Sequence, residues 1–309
     1  MSAGAPPAPG ADGAAGGVTV VIATRNRRPS LLQTLDRLAA LPGPPPVIVV
    51  DNASDDGTRD VLARRSPRVG MVALDHNAGA AARTIGARHA ATRYVAFSDD
   101  DSWWEGPALA RAAHALDRRP GIGLVAARVL VGPDGREDPV SRLMARSPLP
   151  RHERDAAVLG FLACGAVVRR QAFLAVGGFH ERLGVGGEEQ LLAIDLADAG
   201  WELVYRPDVV AHHHPAGGRR PGRSRVQVRN ALWCAWLRRP LPRAVAVTAA
   251  AAMRSAREPA QLSGLIDAAR GARWVAAERR VVGRDLEARL RSLEAEPGAT
   301  GLTGVARAP

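Results

Sequence analysis

From Val18 to Asp101 the chain alternates short apolar, β-branched runs with amphipathic stretches, and each apolar run ends in a polar or acidic cluster. Val18–Ala23, Val47–Val50, Val69–Leu74 and Tyr94–Phe97 have the length and composition of strands buried on both faces. Between them, Pro29 and Ser30 open a helix through about Ala40, with Leu31, Leu32, Leu35 and Leu38 on one side. Thr58–Arg65 reads as a short helix and Ala78–Ala90 as a longer one. Strands separated by helices of this length form βαβ units, hence an α/β fold with a parallel sheet. Such sheets bind ligands beyond the carboxyl ends of their strands.

After Asp101 the periodicity loosens. Pro107–Arg118 is expected to be helical and Ile122–Val131 a strand, with 132–157 a polar, Pro/Arg-rich loop over the site. Leu159–Val168 is strand-like, Arg170–Val176 a short helix, and Gly177-Gly178-Phe179 a turn. Glu188–Ala199 is helical after a glycine-rich loop, and Leu203–Tyr205 and Val209–Ala211 are two short strands running into His212-His213-His214. Beyond Pro221 the pattern is mainly helical.

Composition removes several function classes. The 309 residues contain no lysine, so a Schiff-base lysine and a GxxxxGK[ST] phosphate loop are excluded. Two cysteines, Cys164 and Cys234, are too few for a disulfide framework or a four-thiolate zinc site. Residues 1–205 hold 23 Arg and 23 acidic residues, whereas 206–309 hold 19 Arg and 8, so the net charge of +11 sits in the last third. Residues 1–17 lack aromatic and β-branched side chains and read as a disordered arm; they have neither the basic nor the apolar region of a signal peptide. Among the longest apolar stretches is Ala244–Met253, ten residues and mostly alanine, too short to span a bilayer, so the expected compartment is the cytoplasm.

The chemistry gathers in four clusters at predicted strand ends: Thr24-Arg25-Asn26, Asp51-Asn52, Asp75-His76-Asn77 and Asp99-Asp100-Asp101. In a parallel sheet these ends share one edge. Three consecutive carboxylates repel one another unless a cation neutralises them, and hard oxygen donors suit Mg²⁺ or Mn²⁺. An ordinary acidic turn is the competing reading of the triplet taken alone.

The segments VTVVIATRNRRPSLLQTLDRL, VIVVDNASDDGT, HNAGAAARTIGARHA, YVAFSDDDSWW, GAVVRRQAFLAVGGFHERLGVGGEEQLLAIDLADAG and YRPDVVAHHH occur in this order over Val18–His214. Together they resemble the family-2 glycosyltransferases, enzymes of GT-A fold that use nucleotide-activated sugars. The resemblance implies a Rossmann-like, mostly parallel sheet flanked by helices, with a helical C-terminal extension. It divides the chain into a GT-A domain over 18–215, a basic helical extension over 216–297 and a flexible tail over 298–309. It implies metal-dependent, inverting transfer of a sugar from a nucleotide-diphosphate donor to an acceptor hydroxyl on a polysaccharide, a lipid-linked sugar or a natural product.

Carried over residue by residue, the resemblance puts Thr24, Asn26, Asp51, Asn77, Gly79 and Arg83 against the nucleotide. Asp99 and Asp100 would take ribose or metal contacts, and Asp101 the principal metal contact. His212 would close over the metal or the diphosphate, with His213 as its one-residue rival. Glu189 takes the position of the usual aspartate base, with Glu188 as the alternative; such a base must reach the acceptor hydroxyl. The chain departs from the family pattern at Thr84, where Asn is frequent, and at Asp195, where Arg is frequent. Trp103 and Trp104 are either sugar-stacking or core residues.

Residues 206–239 carry eight Arg and one Asp beside Trp233 and Trp236, which lie three apart on one helical face. That pattern suits a solvated helix packed on the catalytic domain, a peripheral contact with the inner face of an anionic membrane, or a contact with substrate phosphates. Two other functions fit parts of the chain: a nucleotidyltransferase on a similar sheet, or a basic nucleic-acid-binding protein. No nucleic-acid-binding motif accompanies the charge, and no nucleic-acid partner is expected.

Overall fold

The computed structural model describes residues 17–64, 68–153, 155–215, 222–255 and 259–296. Nearly all of the arm expected at 1–17, and the tail expected at 298–309, lie outside the described residues.

The alternating first half folds as its pattern predicts: β1 (Val18–Thr24), α1 (Arg28–Ala39), β2 (Val47–Asp51), α2 (Thr58–Ala63), β3 (Val69–Ala73), α3 (Ala81–His89) and β4 (Tyr94–Asp99). Then come β5 (Ser102–Trp104), α4 (Ala108–Arg118), β6 (Ile122–Val131), β7 (Arg136–Glu137), α5 (Pro139–Ala145), β8 (Arg151–His152) and β9 (Asp155–Ala157). A 3-10 turn at Ala163–Gly165 leads to β10 (Ala166–Arg169) and α6 (Arg170–Ala175), and a second at Glu181–Leu183 to α7 (Glu188–Asp198) and β11 (Glu202–His213). The remaining chain is helical: α8 (Arg223–Arg238), α9 (Leu241–Ser255), α10 (Pro259–Arg270), α11 (Ala272–Glu278) and α12 (Arg284–Ala295).

The strand order is β3-β2-β1-β4-β10-β6-β11-β9-β8, with β5 paired to β11 and β7 to β6. The long ladders β3-β2-β1-β4 and β6-β11 are parallel, and β10 runs antiparallel between β4 and β6. Two reversals restore the original direction, so the carboxyl ends of β4, β6 and β11 meet at one edge.

Side chains alternate across the sheet as the period of two demands. Val20 and Ile22 face the layer of α1 and α4, against Leu31, Leu35 and Leu116, whereas Val21 faces Ala82, Ala87, Phe97 and Phe173. Gly86 of α3 lies on β1 and β2; a Cβ there would come within 2.4 Å of Val21 Cγ1. A third cluster joins Leu183, Leu191 and Ile194 to Trp233, Leu237, Val275, Leu286 and Leu290, so the C-terminal helices pack on α7.

Three expectations fail locally. Residues 132–157 are not one loop: β6 and β7 form a hairpin, α5 follows, and β8 and β9 pair. The helix start was written in Asp138-Pro139, where the Asp138 side chain accepts from Val140 N at 2.7 Å and proline fills the first turn. Leu159–Val168 is not one strand but a buried 3-10 turn followed by β10, since an apolar run reports burial without fixing its backbone. The two strands expected at 203–205 and 209–211 are one, β11, whose register with β6 shifts between Arg206 and Val210, around Pro207.

Candidate active site

Strand register builds the site. Thr24 pairs with Asp51 and Ala23 with Asp99, placing the ends of β1, β2 and β4 side by side at one edge. After Asp101 the chain turns into β5, which lies antiparallel on the end of β11, with Ser102 opposite His213 and Trp103 opposite His212. His214 N donates to Asp101 O at 2.8 Å, closing the acidic loop against the histidine segment.

The three aspartates are each engaged differently. Asp99 pairs with the buried Arg83 of α3. Asp100 accepts from Thr24 Oγ1 at 2.9 Å and faces Arg27 Nε at 2.7 Å, while its carbonyl accepts from Thr34 Oγ1. Asp101 faces Arg27 Nη2 at 2.6 Å and His213 Nε2 at 3.3 Å. Burial pushes Asp100 up to about 6; Arg27 and the Thr24 bond pull against this, and Asp101 and Asp99 add to it. Burial also opposes charge on His213, but the bond to Asp101 and the charges of Asp99 and Asp101 outweigh it and raise its pKa.

Asp99, Asp101 and His213 each present a ligand atom, all within 4.8 Å of one another. His212 is not part of this group. Alternation along β11 turns it toward Glu105, at 3.5 Å, and onto the ring of Trp103, with centroids 5.6 Å apart and planes at 13°. The histidine one residue further along is therefore the one beside the carboxylates. Two carboxylates supply hard oxygen donors of the kind Mg²⁺ and Mn²⁺ take, and the imidazole adds a borderline nitrogen, a mixed set suited to a divalent cation.

The other residues singled out from the sequence spread along the same edge. Asp51 is fully buried and accepts from Arg59 Nε at 2.6 Å and from Ser54 N. Asn26 has a φ of 53° and joins the β1 and β2 loops, its Oδ1 accepting from Asp55 N at 2.9 Å. Asn77 makes a local turn with Gly79 N at 3.0 Å, and Asn52 accepts from Ala78 N at 3.0 Å. Gly79 has a φ of 58°, and a Cβ there would lie 2.9 Å from Gly184 Cα, so glycine is required on both counts. Thr84, the departure in α3, accepts from Phe179 N at 2.8 Å and thereby fixes the Gly177–Phe179 turn.

That turn leads toward the two glutamates. Glu188 is buried and accepts from Gly186 N within its own loop. Burial, and then the charge of Glu189, push Glu188 up to about 8 against the pull of Arg83. Glu189 is only half-buried. Burial opposes the charge of Arg83, yet Asp99 and Glu188, with Glu189 behind them, hold its pKa above the ordinary value. One guanidinium thus joins the aspartate cluster to the glutamate pair.

The tryptophans separate. Trp104 is fully buried in the core, whereas Trp103 is half-buried beside His212 and His214, with Arg37 over its ring at 5.3 Å. In α8, Trp233 is buried and donates to Ala268 O, and Trp236 donates to Thr248 Oγ1. Those rings are covered by α10 and α9. Much of the basic tail is also neutralised internally: Arg238 pairs with Asp195, Arg239 with Glu287 and Glu294, and Arg225 with Asp267. Asp195, the second departure, is therefore the partner of an arginine that arrives from α8.

The profile of "Glycosyl transferase family 2" matches residues 19–177, just over half of the chain. The chain belongs to this family. A similar protein is the N-acetylglucosaminyl-diphospho-decaprenol L-rhamnosyltransferase of Mycobacterium tuberculosis, 29% identical over 233 residues, covering 64% of this chain and 76% of that protein. A second is the putative teichuronic acid biosynthesis glycosyltransferase TuaG of Bacillus subtilis, 44% identical over 63 residues, 19% of this chain and 25% of that one. Among solved structures, the mannosyltransferase PcManGT of Pyrobaculum calidifontis, in complex with GDP-Man and Mn²⁺, superposes with a TM-score of 0.56 at 24% identity, covering 83% of this chain and 87% of that one. Residues 1–349 of S. aureus TarS with UDP-GlcNAc give a TM-score of 0.54 at 18% identity, covering 70% and 66%.

The fold of this family-2 glycosyltransferase is thus the GT-A type anticipated from its motif order, and neither alternative function is needed. Three residues that the sequence reading did not select complete the site: Arg27, Arg59 and, from α8, Asn230. Arg27 directly follows Asn26 and could have been taken as part of that loop. Asn230 lies outside every motif, and only the fold brings it to the site.

Proposed function

We propose that this glycosyltransferase moves a sugar from a nucleotide-diphosphate donor to a hydroxyl of a lipid-linked saccharide, with inversion at the anomeric carbon. The observation that carries this is the convergence of Asp99, Asp101 and His213 within 4.8 Å, coupled through Arg83 to Glu188 and Glu189. The solved neighbours bound to GDP-Man with Mn²⁺ and to UDP-GlcNAc support the donor class, and the decaprenol-linked substrate in the mycobacterial relative's name supports the acceptor.

In this reading Thr24, Asn26, Asp51, Asn77, Gly79, Arg83, Asp99 and Asp100 shape the donor site, the enclosed Asp51 by holding Arg59 and the Ser54 turn in place. Asp99, Asp101 and His213 would hold Mg²⁺ or Mn²⁺. A divalent ion supplies neutralisation of the charge that develops on the departing diphosphate. Arg83 adds fixed positive charge in a buried setting, where it needs no reorganisation. Glu189 serves as the base: it is open enough to meet an acceptor hydroxyl, whereas Glu188 is enclosed and turned to Gly186 N. The enzyme works in the cytoplasm, peripherally at a membrane that carries its acceptor. Among the described residues no helix is long and apolar enough to cross one.

The test is a thermal-shift screen of nucleoside diphosphates and nucleotide sugars with and without Mn²⁺. At a hundredfold excess over its dissociation constant, a ligand specific to the native state adds about 2.7 kcal/mol of apparent stability. A metal-dependent shift with one nucleotide class, abolished by Asp101→Ala, is the expected result. A folded sample that responds to no nucleotide sinks the reading.

A further inference from the structure

Seven large apolar side chains are exposed among the described residues, and five of them lie on two adjoining helices: Leu241, Val245 and Met253 of α9, and Leu262 and Ile266 of α10. Their exposures are 56%, 50%, 72%, 52% and 46%. Leu241, Val245, Ala249 and Met253 recur every four residues, which sets them along one side of α9. The opposite side is the packed one, with Ala244 and Ala251 buried. Leu262 and Ile266 form the same spacing on α10, whose inner side packs Gly264 against Val228. Both helices therefore turn apolar stripes away from the protein.

We infer that these outer faces of α9 and α10 dock on an anionic lipid bilayer, lying in its surface. Charge selects this partner over a second copy of the chain. Residues 222–255 contain seven arginines and no acidic residue; Arg225, Arg238, Arg239 and Arg243 pair with carboxylates of other segments, and the apolar stripe of α9 carries no acidic residue, with Arg254 beside its far end. On α10 the one carboxylate, Asp267, is already engaged by Arg225 and Arg270. Two-fold pairing of this surface would bring no carboxylate of α9 to meet Arg254, whereas anionic headgroups complement it. With only 15 residues and an arginine near each end, α9 is too short to span and has the pattern of a helix that lies in the interface. The pair Trp233 and Trp236 cannot serve, because α10 and α9 cover them.

This inference gives the lipid-linked acceptor reading a physical docking face and rests on that reading for its purpose, though its own test is separate. The experiment is co-sedimentation of the full chain with vesicles of phosphatidylcholine alone or mixed with phosphatidylglycerol, in low and high salt. The comparison is Val245→Asp/Met253→Asp, two exposed positions whose change leaves the packed side of α9 intact. Wild type is expected to sediment with anionic vesicles, less so in high salt, and the double variant to lose at least tenfold in partitioning at an unchanged Tm and nucleotide-sugar affinity. Equal sedimentation of both proteins, or none of wild type at low salt, overturns the inference. A concentration-dependent doubling of mass in light scattering, lost in the variant, overturns it in favour of self-association. A chain that binds nucleotide sugar but no vesicle sinks the docking face alone, and one that binds vesicles but no nucleotide sugar sinks the catalytic reading alone.

Discussion

The side-chain amide of Asn230, in α8, donates to Gly186 O at 2.7 Å and to Leu183 O at 2.9 Å, which ties the C-terminal helices to the loop that precedes Glu188 and Glu189. Asn230 is fully buried, and Arg229 Nη2 reaches the same Leu183 carbonyl at 2.9 Å. A segment remote in sequence thus sets the backbone immediately before Glu188 and Glu189.

Asn230→Ala removes both donors and leaves Gly186 O without its amide partner, at a cost of about 1–3 kcal/mol. Because the loop then has room to shift, turnover falls by about tenfold or more while the donor KM changes little. Asn230→Asp is worse than alanine, since it faces a carboxylate toward two carbonyls. Thermal unfolding and steady-state kinetics check both statements. Full turnover in the alanine variant would mean that the loop holds itself.

The two glutamates respond oppositely to substitution. Glu189→Gln lowers turnover by at least about 10²-fold, as loss of a general base does. Glu188→Gln keeps most of the activity and changes the stability profile instead. With the folded pKa of Glu188 near 8, above the usual carboxylate range, the native state holds a proton that the unfolded chain has released. Stability from this group therefore falls as pH rises from about 4.5 to 8. The glutamine variant, which still accepts from Gly186 N, loses this slope and gains on wild type in Tm at pH 8. Thermal scans from pH 5 to 9 measure it.

Arg27 supplies the second counter-charge of the acidic loop, facing both Asp100 and Asp101. Arg27→Gln leaves two adjacent, largely buried carboxylates facing each other. Because the guanidinium is a quarter exposed, the cost is at the low end of about 1–3 kcal/mol. Mn²⁺ then raises Tm further in the variant than in wild type, since it neutralises a charge that Arg27 no longer does. A thermal-shift titration with Mn²⁺ alone reads this directly.

The amino-terminal sheet was legible because burial on both faces leaves apolar runs with no competing pattern, and because parallel register brings Thr24, Asp51 and Asp99 to one edge. The acidic loop was legible as chemistry because Asp99-Asp100-Asp101 shares its sheet edge with the clusters at Thr24, Asp51 and Asp75, which an ordinary acidic turn does not explain. What escaped was whatever depends on single-residue phase or on distant packing. The choice between His212 and His213 turns on which side of β11 faces the loop, a matter of one residue in a strand with a shifted register. Asp138-Pro139 marked a helix start inside a stretch that looked like a loop. Asn230 meets the site, and Arg238 meets Asp195, only through the docking of α8, which no local pattern announces.

That docking rests on the ion pair of Asp195 with Arg238, whose Nη2 lies 3.0 Å from Asp195 Oδ2 in a largely buried setting. Replacing one partner of a buried pair strands the other, at about 3–5 kcal/mol. Arg280 Nη2 also lies 3.3 Å from Asp195, so Arg238→Ala falls at the low end of that range. Asp195→Leu/Arg238→Leu removes both charges and regains part of the loss, because an apolar pair needs no compensation. A double-mutant cycle on urea unfolding isolates the pair, and strictly additive losses would mean that α8 is held by the Leu191, Ile194, Trp233 and Leu237 cluster alone.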